Sequence, residues 1–201
     1  MKQIVLASNN AGKIKEFRHI FADLDIELIA QAELNIPEVD EPYFTFVENS
    51  LHKARHCAKY SGLPALADDS GICVNSLGGK PGVYSARYAG EPKSDLRNNQ
   101  KLVQDLTAFA NKSAYFYCVL VLVRSELDPQ PLISDGAIHG SVIDTPRGTN
   151  GFGYDPHFYL PNFNKTVAEL TQDEKNQISH RRMATNSLIN KLKEINNATS
   201  K

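Results

Sequence analysis

Residues 64–75 read PALADDSGICVN. Two adjacent carboxylates, Asp68 and Asp69, stand where one apolar run ends at Leu66 and Ala67 and before another resumes at Ile72, Cys73 and Val74. The flanking runs have the length of a buried strand, whereas Asp-Asp-Ser-Gly is good turn chemistry. The expectation is a strand from Leu63 to Val74 interrupted at 68–71. Neighbouring strand residues point to opposite faces, so only one carboxylate can face a given site. A buried carboxylate without a partner is costly, so a metal ion or a cluster of cations must stand near these two. A carboxylate beside Mg²⁺ can ligate it or take a proton from an attacking water. The segment IPEVDE offers Glu38, Asp40 and Glu41 as partner ligands.

Around this stretch, strands and helices interleave. Gln3–Ala7 and Ile26–Ala30 read as short buried strands. Ile14, Phe17, Ile20, Phe21 and Leu24 recur at three- and four-residue steps and make one apolar helix face, with Asn9 or Asn10 as cap. Thr45-Phe-Val-Glu48 is a capping box that opens a second helix, with Val47, Leu51, Ala54 and Ala58 as its buried stripe and Gly62 and Pro64 at its end. A third helix is expected over roughly Lys93–Ala110. Tyr115–Val123, β-branched and aromatic, is the strongest strand signal, with Leu132–Ile143 its expected antiparallel neighbour and His157–Leu160 a further short strand. Leu77–Gly90 and Gly148–Asp155 are glycine-rich loops. A second capping box, Thr171-Gln-Asp-Glu174, opens the last helix, whose inner face is Ile178, Leu188, Leu192 and Ile195. The class is α/β or mixed α+β, one continuous chain covering a cleft.

The 201 residues suit a single domain, or one with two lobes, with the last few residues frayed. A hydrophobic share of 41% and a charged share of 22% are ordinary for a soluble globular protein. Net charge is −1, without the basic excess of a nucleic-acid binder. Cys57, Cys73 and Cys118 are scattered and form no CxxC, so they read as reduced, partly buried thiols. The opening MKQIVLAS has too short an apolar part for a signal peptide, and no stretch is long enough to span a membrane. The expected location is the cytosol, where the Asn-x-Ser/Thr triplets at Asn111, Asn164 and Asn197 carry no meaning.

Four constellations carry chemistry. SNNAGK, Ser8, Asn9, Asn10, Ala11, Gly12 and Lys13, follows a strand and opens a helix whose N–H groups suit phosphate; an ordinary capped helix is the plainer alternative. Lys13 in the first turn is unfavourable unless an anion shares the site, and Lys175 repeats the anomaly on the last helix. Asp68-Asp69 is the second constellation. NGFGYDP, with Phe152, Gly153, Tyr154 and Asp155, places an aromatic on a glycine loop, where it either stacks on a base or anchors the loop to the core. SHRR, with His180 and Arg181, supplies donors for carbonyl or phosphate oxygens or, on the plainer view, a solvated helix face.

Taken together and in order, SNNAGK, TFVENSLHKA, ALADDSG, LGGKPGVYSARYAG, GTNGFGYDPHF and AELTQDEKNQISHR resemble the inosine/xanthosine triphosphate pyrophosphatases, the dITP/XTP pyrophosphatase family, over about residues 3–195. The resemblance implies a two-lobed α/β fold with a long mixed sheet and a central cleft, usually a homodimer, that cleaves dITP, ITP and XTP to monophosphate and pyrophosphate with Mg²⁺. It places Ser8, Asn10 and Lys13 in the phosphate-binding segment, Asp69 at the catalytic acid position with Ser70 beside the substrate, and Glu41 as the metal partner. Lys53 becomes a phosphate contact, Phe152–Asp155 line the base and sugar, and Lys175, His180 and Arg181 complete the pocket. Arg87 receives no role.

On this reading Asp69 points to the substrate, held ionised by Mg²⁺ and lysines, with Asp68 in support, and water attacks the α-phosphorus. His180 and Arg181 are donors that pair with the 6-oxygen of hypoxanthine or xanthine and are left unpaired by adenine. The rivals are a pyrophosphatase for other modified nucleotides, a nucleotide-binding protein without turnover, and an RNA- or DNA-binding module, the last disfavoured by the net charge.

Overall fold

The computed structural model describes residues 2–22, 24 and 26–199, with backbone alone for 195–199. The expected inner-face contact of Ile195, the triplet side chain of Asn197 and the fraying of the last residues lie outside that description. Seven strands form one mixed sheet in the order β2-β1-β3-β4-β5-β6-β7. They are β1 (Gln3–Leu6), β2 (Glu27–Ala30), β3 (Ala65–Val74), β4 (Ser113–Val123), β5 (Leu132–Val142), β6 (Phe158–Leu160) and β7 (Lys165–Thr166). β1 runs parallel to β2 and β3, while β6 is antiparallel to β5 and β7. Among the described residues five α-helices accompany them: α1 (Ala11–Phe21), α2 (Phe46–Ser61), α3 (Asp95–Asp105), α4 (Gln172–Ile178) and α5 (His180–Thr199).

Local chemistry accounts for most boundaries. Asn10, rather than Asn9, caps α1, its side chain accepting from the Lys13 N–H at 3.0 Å. Thr45 caps α2, which ends at Gly62 in the left-handed region, φ 67°. Ser94 caps α3, which is shorter than expected and stops at Asp105. The loop expected over 77–90 contains two 3-10 turns, Asn75–Leu77 at its edge and Gly82–Arg87.

Three expectations need correction. β3 is not interrupted, because Asp68 and Asp69 are both buried and partnered, and the strand runs through them. The last helix is two helices. Ser179 leaves helical geometry, φ −65°, ψ 152°, so α4 and α5 are separate. The stripe of α2 is also shifted: Val47 and Leu51 are half-buried, and Asn49, Ser50, Ala54, Cys57 and Ala58 face inward. Polar residues lead that face because Ser50 donates to the Val119 carbonyl at 3.1 Å and Asn49 serves Asp69.

The described residues group into two compact units. The first takes residues 1–69, 118–136 and 181–201, the second 70–117 and 137–180. Each has its own core. Ile4, Leu6, Phe17, Ile20, Phe21, Leu66, Cys118, Leu120, Leu122 and Leu188 pack in the first. Ile72, Val74, Leu102, Phe116, Tyr154, Phe158 and Leu170 pack in the second. The three cysteines are free and buried, as expected. Among the described residues no helix is long and apolar enough to cross a membrane.

Candidate active site

The two carboxylates stand on the first unit's part of β3, and the strand's alternation sends them to different partners. Asp68 shares the face of Leu66, beneath α1 and α5. Its Oδ2 lies 2.8 Å from Lys13 Nζ and 3.7 Å from Arg181 Nε. Its backbone carbonyl accepts from Lys53 Nζ at 2.7 Å. Asp69 turns to α2, where Asn49 Nδ2 donates to its Oδ2 at 3.0 Å. Asn49 is oriented in turn by Tyr43, whose N–H it accepts at 3.0 Å and whose carbonyl it donates to at 3.3 Å. Lys53, one helical turn beyond Asn49, pairs with Glu41.

These partners give the two carboxylates opposite titration behaviour. Burial pushes the Asp68 carboxyl upward, but Lys13, Arg181 and Lys53 overcome it and hold the group well below the usual carboxylate range. Asp69 is pushed up to about 6, by burial first and then by the charge of Glu41, against Lys53, Lys13 and the Asn49 hydrogen bond. Lys53 and Lys13 favour the ionised form of both carboxylates, but at Asp69 burial and the charge of Glu41 outweigh them. With a pKa of about 6, Asp69 is mostly ionised at pH 7 yet close enough to neutrality to take up a proton, as suits a group that exchanges one.

The first-turn position of Lys13 has a concrete explanation, since the anion it needs is in part the protein's own Asp68. The remaining SNNAGK residues form the turn into α1. The Asn10 N–H donates to Ser8 Oγ at 3.2 Å, Asn9 Nδ2 donates to Glu38 Oε1 at 2.8 Å, and Ala11 and Gly12 begin the helix. Of the three acids in IPEVDE, Glu38 is exposed and held by Asn9, Asp40 is exposed, and Glu41 is the one whose charge reaches Asp69. Among the described residues no three His, Cys, Asp or Glu side chains converge as a ready-made metal cage. Asp69 and Glu41 are oxygen donors only, suited to a hard divalent cation held by one or two carboxylates and completed by substrate oxygens. A cation beside both would offset the burial and the Glu41 charge that raise Asp69.

Arg181, the first unit's contribution from SHRR, is buried. Its Nη1 donates to Glu16 Oε2 at 2.7 Å, and both side chains are under 5% exposed. This ion pair spans 165 residues of sequence and makes a row of alternating charge, Glu16, Arg181, Asp68, Lys13, buried up to the half-buried Lys13. The expected base-reading role of Arg181 would thus have to share a guanidinium already directed at two carboxylates.

In the second unit, the NGFGYDP loop is bound from several sides. Lys175 Nζ pairs with Asp155 Oδ2 at 2.7 Å, both nearly buried, and lies 4.7 Å from the centre of the Phe152 ring. Like Lys13, Lys175 owes its place in a short capped helix to a protein carboxylate. Asp155 Oδ2 also accepts the Phe152 N–H at 3.0 Å. A Cβ on Gly151, φ +79°, would fall 2.0 Å from that same oxygen, so only glycine fits. Tyr154 is core, its hydroxyl donating to the Ser85 carbonyl at 2.7 Å. Gly153 is held by α3. The His180 ring stacks on Phe116, 5.2 Å between centroids and 17° between planes. Ser70 follows Asp69 as the first residue of this unit.

Sequence reasoning missed Asn49, Glu16, Asp95, Asn99 and Phe116. A signal existed for Asn49, which sits one turn before Lys53 and so shares its helix face. None existed for Glu16, whose partner lies at the other end of the chain.

Fold and site together define a mixed α/β protein with a buried carboxylate–lysine group beside a helix N-terminus, suited to phosphate chemistry. The chain belongs to the Ham1 family, whose profile matches residues 4–191. It is 58% identical over 193 residues to the dITP/XTP pyrophosphatase of Chromobacterium violaceum, covering 96% of this chain and 98% of that one. To the dITP/XTP pyrophosphatase of Neisseria meningitidis it is 57% identical over 192 residues, 95% of this chain and 96% of the other. The solved HAM1 protein of Coxiella burnetii superposes with a TM-score of 0.90 at 47% identity, over 96% of this chain and all of that one, 100%. The nucleoside-triphosphatase and dITP/XTP pyrophosphatase of Mycobacterium abscessus does so with a TM-score of 0.73 at 36% identity, over 92% of this chain and 98% of that one.

Proposed function

We propose that this protein hydrolyses dITP, ITP and XTP to the nucleoside monophosphate and pyrophosphate, and so removes deaminated purines from the nucleotide pool. The observation that carries the reading is Asp69, buried, raised to about 6 and aligned by Asn49 beside Glu41 and Lys53. The names of the relatives, dITP/XTP pyrophosphatase at 57–58% identity, support the substrate class.

Asp69 accepts the proton of the water that attacks the α-phosphorus. The free N–H groups at the start of α1, with Lys13 and Lys53, neutralise charge that builds on the departing pyrophosphate. Asp69 and Glu41 would hold Mg²⁺, which when bound screens the negative phosphate oxygens. Asp68 stays ionised and fixes Lys13 in place. Phe152 offers the base an aromatic face, and His180, oriented by its stack on Phe116, donates to the 6-oxygen that adenine lacks. Arg181 acts chiefly by holding Asp68. The chain as a single functional domain, the homodimer and the cytosolic setting belong to the same reading.

The test is release of pyrophosphate from dITP, XTP, dATP and dGTP with Mg²⁺, by the wild type and by Asp69→Asn. Selective release from dITP and XTP is expected, with the variant slowed at least about 100-fold. In metal-free buffer at pH 7 the variant should also melt higher, because a neutral amide replaces a carboxylate that burial and Glu41 disfavour. Orthophosphate as product, or equal turnover of all four substrates, would sink the reading.

A further inference from the structure

The backbone of Gly153 is caught from both sides by one helix. Its N–H donates to Asp95 Oδ2 at 2.7 Å, and its carbonyl accepts from Asn99 Nδ2 at 2.8 Å. Asp95 is the first residue of α3, and Asn99, one turn later on the same face, is 6% exposed. Asn99 Nδ2 also donates to the Asp95 carbonyl at 2.9 Å, which ties the two residues to one another. Gly153 sits in the left-handed region, φ +63°, and nothing lies within 4 Å of where a Cβ on it would stand. The glycine presents no side chain of its own to pack, and its N–H and carbonyl are both fixed by the two hydrogen bonds from α3. The neighbouring Asn98 makes the matching contacts to another glycine-rich loop, accepting the Ala89 N–H at 2.8 Å and donating to the Ala86 carbonyl at 3.1 Å.

Phe152 precedes Gly153. Its own N–H is fixed by Asp155, and Lys175 lies over its ring. With its amide pinned on one side and the following residue pinned on the other, the ring has a defined position before any ligand arrives, which lowers the ordering cost of binding. We infer that Asp95 and Asn99 are positioning residues for base recognition, which act by holding Gly153 so that Phe152 is presented to the nucleobase. The inference rests on the reading of Phe152 as the aromatic that faces the base.

The test uses three variants of the full chain. Asp95→Ala removes the acceptor for the Gly153 N–H, Asn99→Asp replaces the donor with a carboxylate facing the Gly153 carbonyl, and Asp95→Asn keeps an acceptor. KM and kcat are measured for dITP, and the dissociation constants of dIMP and of pyrophosphate are measured by calorimetry. Loss of one such bond should raise KM for dITP and weaken dIMP roughly tenfold. In Asp95→Ala and Asn99→Asp, kcat should stay within about twofold and pyrophosphate binding should not change, because only base contacts are affected. Asp95→Asn should behave like the wild type. Equal weakening of dIMP and pyrophosphate, a fall in kcat at constant KM, or an Asp95→Asn as impaired as Asp95→Ala would overturn the inference. Wild-type protein that releases no pyrophosphate from dITP would instead refute the proposed function, and the inference with it.

Discussion

Replacing Lys13 by methionine leaves the Asp68 carboxylate, 0% exposed at its side chain, without its 2.8 Å partner. Arg181 Nε remains, at 3.7 Å, so compensation is partial. Removing one member of a buried ion pair costs about 3–5 kcal/mol, and the residual Arg181 contact places this case at the lower end, about 3 kcal/mol. For a chain of this size that corresponds to a fall in melting temperature of about 6–12 °C. The chain has no tryptophan, so the melt is followed by circular dichroism. The pH dependence has a definite sign. Asp68 has a folded-state pKa held below its ordinary 3.8, so its contribution is fully present above about pH 4 and is lost as pH falls through the folded value. The gap between wild type and Lys13→Met should be largest at neutral pH and should narrow on acidification below about pH 4. A gap under about 2 °C at pH 7, or one that is constant down to the lowest pH at which both fold, would refute the account of Asp68 as an ionised group stabilised by Lys13.

Three further outcomes follow from particular contacts. Gly71→Ala would place a Cβ 2.3 Å from the Gly82 carbonyl and 2.4 Å from Ser85 Oγ, and the overpacking, about 1–3 kcal/mol, should lower the melting temperature by several degrees. Gly151→Ala would drive a Cβ onto Asp155 Oδ2, which holds both Lys175 and the Phe152 N–H, so KM for dITP should rise several-fold more than kcat falls in steady-state assays. Stripping divalent cations with EDTA should abolish pyrophosphate release, and Mg²⁺ added in excess should restore it without refolding, as read by the same assay before and after addition.

Local sequence determined much of this protein. The caps at Asn10, Thr45 and Thr171, the apolar face of α1 and the β-branched run of β4 each express rules that act within one or two turns of chain, and the structure follows them. The pairing of Asp68 with Asp69 marked the site for the same reason, because carboxylates inside an apolar run must find partners. Which carboxylate does what was not legible there. The two side chains are chemically identical, and they titrate in opposite directions because a pleated strand sends one to Lys13 and Arg181, which overcome its burial, and leaves the other buried near Glu41, where the lysines and the Asn49 hydrogen bond do not overcome it. The tertiary structure alone also brings Glu16 to Arg181, breaks the last helix at Ser179 and places Asp95 and Asn99 on Gly153. The contacts of Glu16 and Gly153 join residues 54 to 165 positions apart, and no periodicity in the intervening chain encodes which distant partner a buried polar group will meet.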